Sequence, residues 1–282
     1  YYKMAADKGH VKAIHNYAVC LDNGTGVAVN KTEAAKYYKM AADKGHVNAM
    51  YFYANRIDYG IGLPVNKPEA AKYYKMAADK GHENSMYYYA LMLNNGEGIP
   101  VNKDEAVKYV KMAADKGLGS AMSRYGHWLE NGNGVKMNKT EAAKYYKMAA
   151  DKGYTIGMYN YGICLENGTG VAANLSEAAK YYKMSADKGD EDGMYKYGSM
   201  LEKGTGVPAD KTEAARYYKM SADKGNAKAL ASYNALSNEC GEDEENCGED
   251  DYEENCDEDE YEEKCDEDDY EENCDEDDEK ED

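Results

Sequence analysis

The chain has 282 residues, of which 54 are acidic and 34 basic, and 30 of its 32 large aromatics are Tyr. The net charge of −20 is uneven: residues 238–282 hold 29 acids and 2 lysines, which leaves 25 acids and 32 bases, a net +7, in residues 1–237. That split reads as a folded body with an acidic tail, and no stretch approaches the roughly 18 apolar residues that would suggest a membrane span.

The sequence opens at Tyr1, inside a repeat and without an initiator Met, and so reads as a fragment or processed form; the lack of a leader says nothing about secretion. The string YYKMAADKG starts at Tyr1 and returns, with small changes, at Tyr37, Tyr73, Tyr109, Tyr145, Tyr181 and Tyr217, always 36 residues on. A fixed period of this size signals a solenoid or a propeller. Residues 1–9 are a half unit, six units follow (10–45, 46–81, 82–117, 118–153, 154–189 and 190–225), and 226–237 is a terminal helix.

The unit from His46 to Gly81 shows the design. Asn48 to Asp58 is predicted to be a first helix, helix A, because Met50, Tyr53, Ala54 and Ile57 form one apolar stripe. Gly60-Ile61-Gly62 ends it, since only Gly adopts left-handed backbone freely. After a short extended piece, Asn66 caps the second helix, helix B, and Glu69 completes a capping box. Gly81 stops helix B. The same box recurs at Asn30/Glu33, Asn102/Glu105, Asn138/Glu141, Asn174/Glu177 and Asp210/Glu213. With no β-type alternation anywhere, a propeller is ruled out. One helix pair cannot bury its stripe alone, so the units are expected to stack into an all-α, right-handed solenoid.

Small residues hold fixed columns, Ala13/Ala49/Ser85/Ala121/Gly157/Gly193 and Ala18/Ala54/Ala90/Gly126/Gly162/Gly198. Together with Gly168-Thr169-Gly170-Val171, the cap, and Ala178-Ala179-Lys180-Tyr181-Tyr182 through Gly189, the pattern resembles the Sel-1-like repeat, a relative of the tetratricopeptide repeat, over residues 1 to about 236. Met40 and its equivalents stand where that family often has Lys. The resemblance implies a non-enzymatic scaffold or adaptor whose partners are other proteins. By analogy with the tetratricopeptide repeat, helix A lines the concave face. The exposed columns would then be His15/Tyr51/Tyr87/Ser123/Tyr159/Tyr195 and Val19/Asn55/Leu91/His127/Ile163/Ser199, a groove for a peptide or partner helix. Trp128, the only Trp, lies one column over, beside Arg56 and Met92, where it reads as packing or as a binding hot spot.

Other constellations reduce to architecture. The G-x-G turns follow helices rather than strands and are not phosphate loops. His10, His46 and His82 follow the terminal Gly of a helix B, where an imidazole would complement the helix's negative end. No H-E-x-x-H spacing occurs, and no cofactor is implied. Ser185 and Ser221 replace an Ala of helix B and read as core substitutions. The five glycosylation sequons, at Asn23, Asn30, Asn138, Asn167 and Asn174, coincide with caps and turns. Lys36/Lys39 and their equivalents form a basic stripe that Glu33 and Asp43 interleave, so it reads as a solvated face rather than a nucleic-acid surface. Some secreted relatives carry a Cys pair in each repeat and a few bind β-lactams. Here the array holds only Cys20 and Cys164, four units apart, which argues against that hydrolase alternative and suggests a reducing compartment. From Glu239 the tail is near-periodic at nine residues and is expected to be disordered. Weak Ca²⁺ binding through carboxylates, soft-metal binding through its sparse thiolates and contact with the basic array are its three functional readings, beside a plain solubilising extension.

Overall fold

In the computed structural model the described residues are 1–242, with side chains described to Asn238. They form fourteen helices and no strand. α1 (Tyr2–Asp7) is the half unit. Helices A are α2 (Val11–Asn23), α4 (Val47–Tyr59), α6 (Glu83–Asn95), α8 (Gly119–Asn131), α10 (Thr155–Asn167) and α12 (Glu191–Lys203). Helices B are α3 (Lys31–Asp43), α5 (Lys67–Ala78), α7 (Lys103–Asp115), α9 (Lys139–Asp151), α11 (Leu175–Asp187) and α13 (Lys211–Asp223), and α14 (Ala227–Glu242) closes the series. From α1 to α13 each helix packs on its neighbours in the chain, and α8 also touches α10, helix A on helix A. The units thus stack as a solenoid. α14 runs past the Ser237 boundary that composition suggested. The tail readings (disorder, metal binding, contact with the array) concern residues 238–282, of which 243–282 lie outside the described residues.

The caps form as the sequence requires, with one change. Asn66 Oδ1 accepts from Glu69 N at 3.2 Å, and each of the other five caps does the same. In the reciprocal half of the box, the Glu carboxylate takes the cap's own side-chain amide, as from Asn66 Nδ2 at 2.9 Å. The cap's backbone N–H goes instead to the preceding helix A, as Asn66 N to Ile57 O at 2.7 Å. The cap therefore ties helix B to helix A as well as starting it.

The recurring string is explained almost residue by residue. Its first Tyr meets the helix A Tyr of its own unit edge to face, at 4.7–4.9 Å between centroids from Tyr17–Tyr37 to Tyr197–Tyr217. Its hydroxyl donates to the previous unit's Asp, as Tyr109 to Asp79 at 2.7 Å and Tyr145 to Asp115 at 3.0 Å. Its second Tyr is core, and the hydroxyl donates to an acid ending helix A: Tyr146 to Glu130 at 2.9 Å, Tyr182 to Glu166 and Tyr218 to Glu202 at 2.6 Å. Unit three has Val110 at that place and Asn94 where the acid would be, so hydroxyl and carboxylate are missing together. A carboxylate there would be desolvated without its donor. The Lys pairs with the Asp four residues on, as Lys75–Asp79 at 2.7 Å and Lys111–Asp115 at 2.6 Å. This neutralises half of the basic stripe. The two Ala are sealed in the core.

One expectation is overturned. His46 and His82 do not serve the negative end of helix B. They N-cap the next helix A, and their Nδ1 atoms accept from Ala49 N and Ser85 N at 3.2 Å. The residue after the terminal Gly is already extended, which aims its side chain at the positive end of the following helix. Asp190 does the same for α12. His10 makes no side-chain cap bond.

Candidate partner-binding site

The predicted columns lie at one register of helices A and so recur across the array, but burial divides them. His15, Tyr51 and Asn55 are buried, as is Ser123. Tyr87, Leu91, Tyr159, Ile163 and Tyr195 are half-buried, and His127 is exposed. Trp128 is only 2% exposed and lies in the core, in line with Met92 at 3% and Arg56 at 7%. That column fills the seam between successive helices A.

The first column is inward because it rests on the second Tyr of helix B. Tyr159 meets Tyr182 at 5.9 Å, Tyr195 meets Tyr218 at 5.7 Å and Tyr51 meets Tyr74 at 6.1 Å. Tyr159 and Tyr195 remain half-buried on that support, whereas Tyr51 is closed over by Phe52, His82 and Tyr88 as well. Burial, aided by Asp192 and Asp190, pushes the Tyr159 phenol up to about 12, so it remains a neutral donor at physiological pH. Sequence reasoning missed Tyr59, which is 57% exposed at the end of α4. It is the only aromatic in a column otherwise of Asn and Lys (Asn23, Asn95, Asn131, Asn167, Lys203), and that contrast was its available signal.

At the first two units the surface is underlain by charge. Asp22 and Arg56 form a buried ion pair; Arg56 Nη1 also donates to Asn55 Oδ1 at 3.0 Å, and Lys31 Nζ sits 3.1 Å from Asp22 Oδ1. Next to it, His15 stacks on His46 at 4.4 Å and meets Tyr38 and Phe52 at 5.6 Å. Burial, with His46 beside it, holds His15 down at about 4. The folded state therefore binds that proton more weakly than the unfolded chain, whose His titrates near 6.5. The neutral ring's contribution is complete above about pH 6.5 and is lost as pH falls towards 4. Between pH 7 and 5 the protein is expected to lose about 2 kcal/mol more stability than a His15→Tyr variant, which places in unit one the residue that other units carry. Urea titrations of both proteins at the two pH values measure this; parallel losses would refute it.

Two shallow, open depressions lie elsewhere, on helix B surfaces. One is lined by Met86, Asn102, Lys108, Tyr109 and Met112 among others, the second by Asn174, Ser176, Glu177, Lys180, Tyr181 and Met184. Neither includes a predicted column residue. Among the described residues no cluster of three or more His, Cys, Asp or Glu could hold a metal. Cys20 and Cys164 are both free, and burial pushes the Cys164 thiol up to about 11, which makes it inert. No described helix is long and apolar enough to cross a membrane.

The family model of the Sel1 repeat matches residues 1–10, 11–46, 47–82, 84–118, 119–154, 155–190 and 191–226. The chain belongs to the Sel1 repeat family. Among solved structures, this Sel1 repeat protein is similar to c5321, a protective antigen of uropathogenic Escherichia coli strains with an SLR fold. The identity is 29% and the TM-score 0.81, over 85% of this chain and 51% of that one. The chain thus spans about half the length of that relative. It is also similar to a Sel1 repeat protein from Oxalobacter formigenes, at 26% identity and a TM-score of 0.70, over 75% of this chain and 85% of that one. Among curated protein sequences, none matches the chain. Sel1 repeats are commonly protein-interaction scaffolds.

Proposed function

We propose that the array is a non-enzymatic adaptor that holds a peptide or a partner helix along the outward edges of its helices A. The observation that supports this reading is the contrast between columns. The helix B string repeats almost unchanged, whereas Tyr87, Tyr159 and Tyr195 of one helix A column and Leu91, His127 and Ile163 of the other remain at least partly accessible, in columns that are not uniform along the array. Stacking does not dictate them. Half-packed Tyr rings lose little entropy on binding and offer both an apolar edge and a hydroxyl. The buried members His15, Tyr51, Asn55 and Trp128 support that surface from beneath. Tyr59 extends it.

The test is affinity purification from the source cell's lysate with three proteins: wild type, Tyr87→Ala/Tyr159→Ala, and Lys72→Ala/Lys144→Ala on helices B. A partner on helix A is lost, by about ten-fold or more, only from the Tyr variant. Equal recovery from the Tyr variant, with its helicity intact, would sink the proposal.

A further inference from the structure

The array contains two methionine columns with opposite environments. On helices A, Met50, Met86, Met122, Met158 and Met194 are core residues, 1–3% exposed. On helices B, Met40 and Met112 are 47% exposed, Met184 43% and Met148 42%, and Met76 and Met220 are half-buried. Within the recurring nine-residue string, neighbouring positions have packing, hydrogen-bonding or ion-pairing roles, while most of these Met residues stand at the surface. Even so, Met occupies this place in all six units, although helices A of the same units have diverged widely.

We propose that the helix B methionine row is an oxidant-accepting site, with peroxide as the class of co-substrate. In each event a sulfur lone pair attacks one peroxide oxygen and the O–O bond breaks. The S–O bond forms, the second oxygen leaves as water after proton transfer, and the sulfur is oxidised by two electrons as the peroxide is reduced. The product matters as much as the access. A sulfoxide is polar, so at Met50 or Met122 it would bury an unpaired acceptor in the core. On the outer face of helix B it stays solvated. A cation also stands four residues earlier on the same face, at Lys36, Lys72, Lys108, Lys144, Lys180 and Arg216. In the last unit the reach is already made, with Arg216 Nη1 3.4 Å from Met220 Sδ. The row can therefore take up to one oxygen per unit while the fold is retained.

The experiment uses the full chain with accessible thiols first alkylated by N-ethylmaleimide, then limiting hydrogen peroxide. Digestion after Glu separates the otherwise identical repeat peptides, and tandem mass spectrometry locates each sulfoxide. The helix B row is expected to oxidise at least ten-fold faster than the helix A column, with the melting midpoint unchanged when only the row is oxidised. A second protein with the six row residues changed to Leu should direct at least three-fold more oxygen to the helix A column under the same limiting peroxide. Equal rates for the two columns would overturn the proposal. So would a melting midpoint that falls as the row alone is oxidised, or a Leu variant whose helix A column is no more oxidised than in wild type.

Discussion

Gly98→Ala is expected to destabilise the array by about 4 kcal/mol, while Gly26→Ala, at the same place in the first unit, costs only about 1 kcal/mol. Both glycines have the same left-handed backbone, φ +72° and +70°. An L-residue there costs roughly 1–2 kcal/mol, offset in part by the smaller freedom of Ala in the unfolded chain. They differ in what lies opposite. A Cβ on Gly98 would stand 2.6 Å from Lys67 O and from Pro68 N, the backbone that begins the previous unit's helix B, whereas on Gly26 it meets nothing within 4 Å. Backbone cannot rotate away as a side chain can, so units two and three would have to separate locally. In a linear array the junction carries the coupling between neighbours. Gly98→Ala should therefore broaden or split the urea transition as well as lower its midpoint. Similar midpoints for the two variants would show that turn conformation, rather than the close approach of one unit to the previous one, decides the effect.

That second glycine illustrates what was legible in the sequence. The period is visible on comparing units, and the helix boundaries, the caps and the stop glycines are local properties readable from one unit. The reason for a second Gly was not, because its neighbour lies 31 residues earlier and only stacking brings the two together. The same limit applied to the candidate site. Column variation singled out Tyr87 and Tyr159, which are half-buried and pack against the core. It could not distinguish a residue that varies because it faces water from one that varies because its seam accepts several shapes, and Trp128, Met92 and Arg56 are of the second kind. The His residues show a third case. Their place after a terminal Gly served two helices at once, and the extended backbone there, not the sequence spacing, decided which helix end the imidazole reaches.

The buried pair of Asp22 and Arg56 is expected to respond asymmetrically to the loss of either partner. Replacing Arg56 with Met should cost only about 1 kcal/mol, because the next unit already has Met92 in Arg56's place, and there Asp58 pairs its charge with Lys67 at 2.6 Å and accepts from the Tyr74 hydroxyl at 3.5 Å. Lys31 stands in the same position toward Asp22, at 3.1 Å. Replacing Asp22 with Asn should cost about 3 kcal/mol, because a guanidinium cannot shed its charge and Arg56 would remain buried with neutral acceptors alone. Among the described residues its Nε has no hydrogen-bond partner, and Nη1 donates to Asn55 Oδ1 at 3.0 Å. The double variant Asp22→Asn/Arg56→Met should return to within about 1 kcal/mol of wild type, since the unpaired charge is gone and the column already takes Met. Urea denaturation of the four proteins gives the coupling energy directly. Additive costs, or a more severe effect from Arg56→Met than from Asp22→Asn, would mean that the acid rather than the guanidinium depends on the pair. The tolerance of Met at this column also explains why the seam could diversify, from Cys20 through Arg56, Met92 and Trp128 to Cys164 and Met200, without disturbing the stack. The inner faces of helices A could then vary above a seam that remained closed.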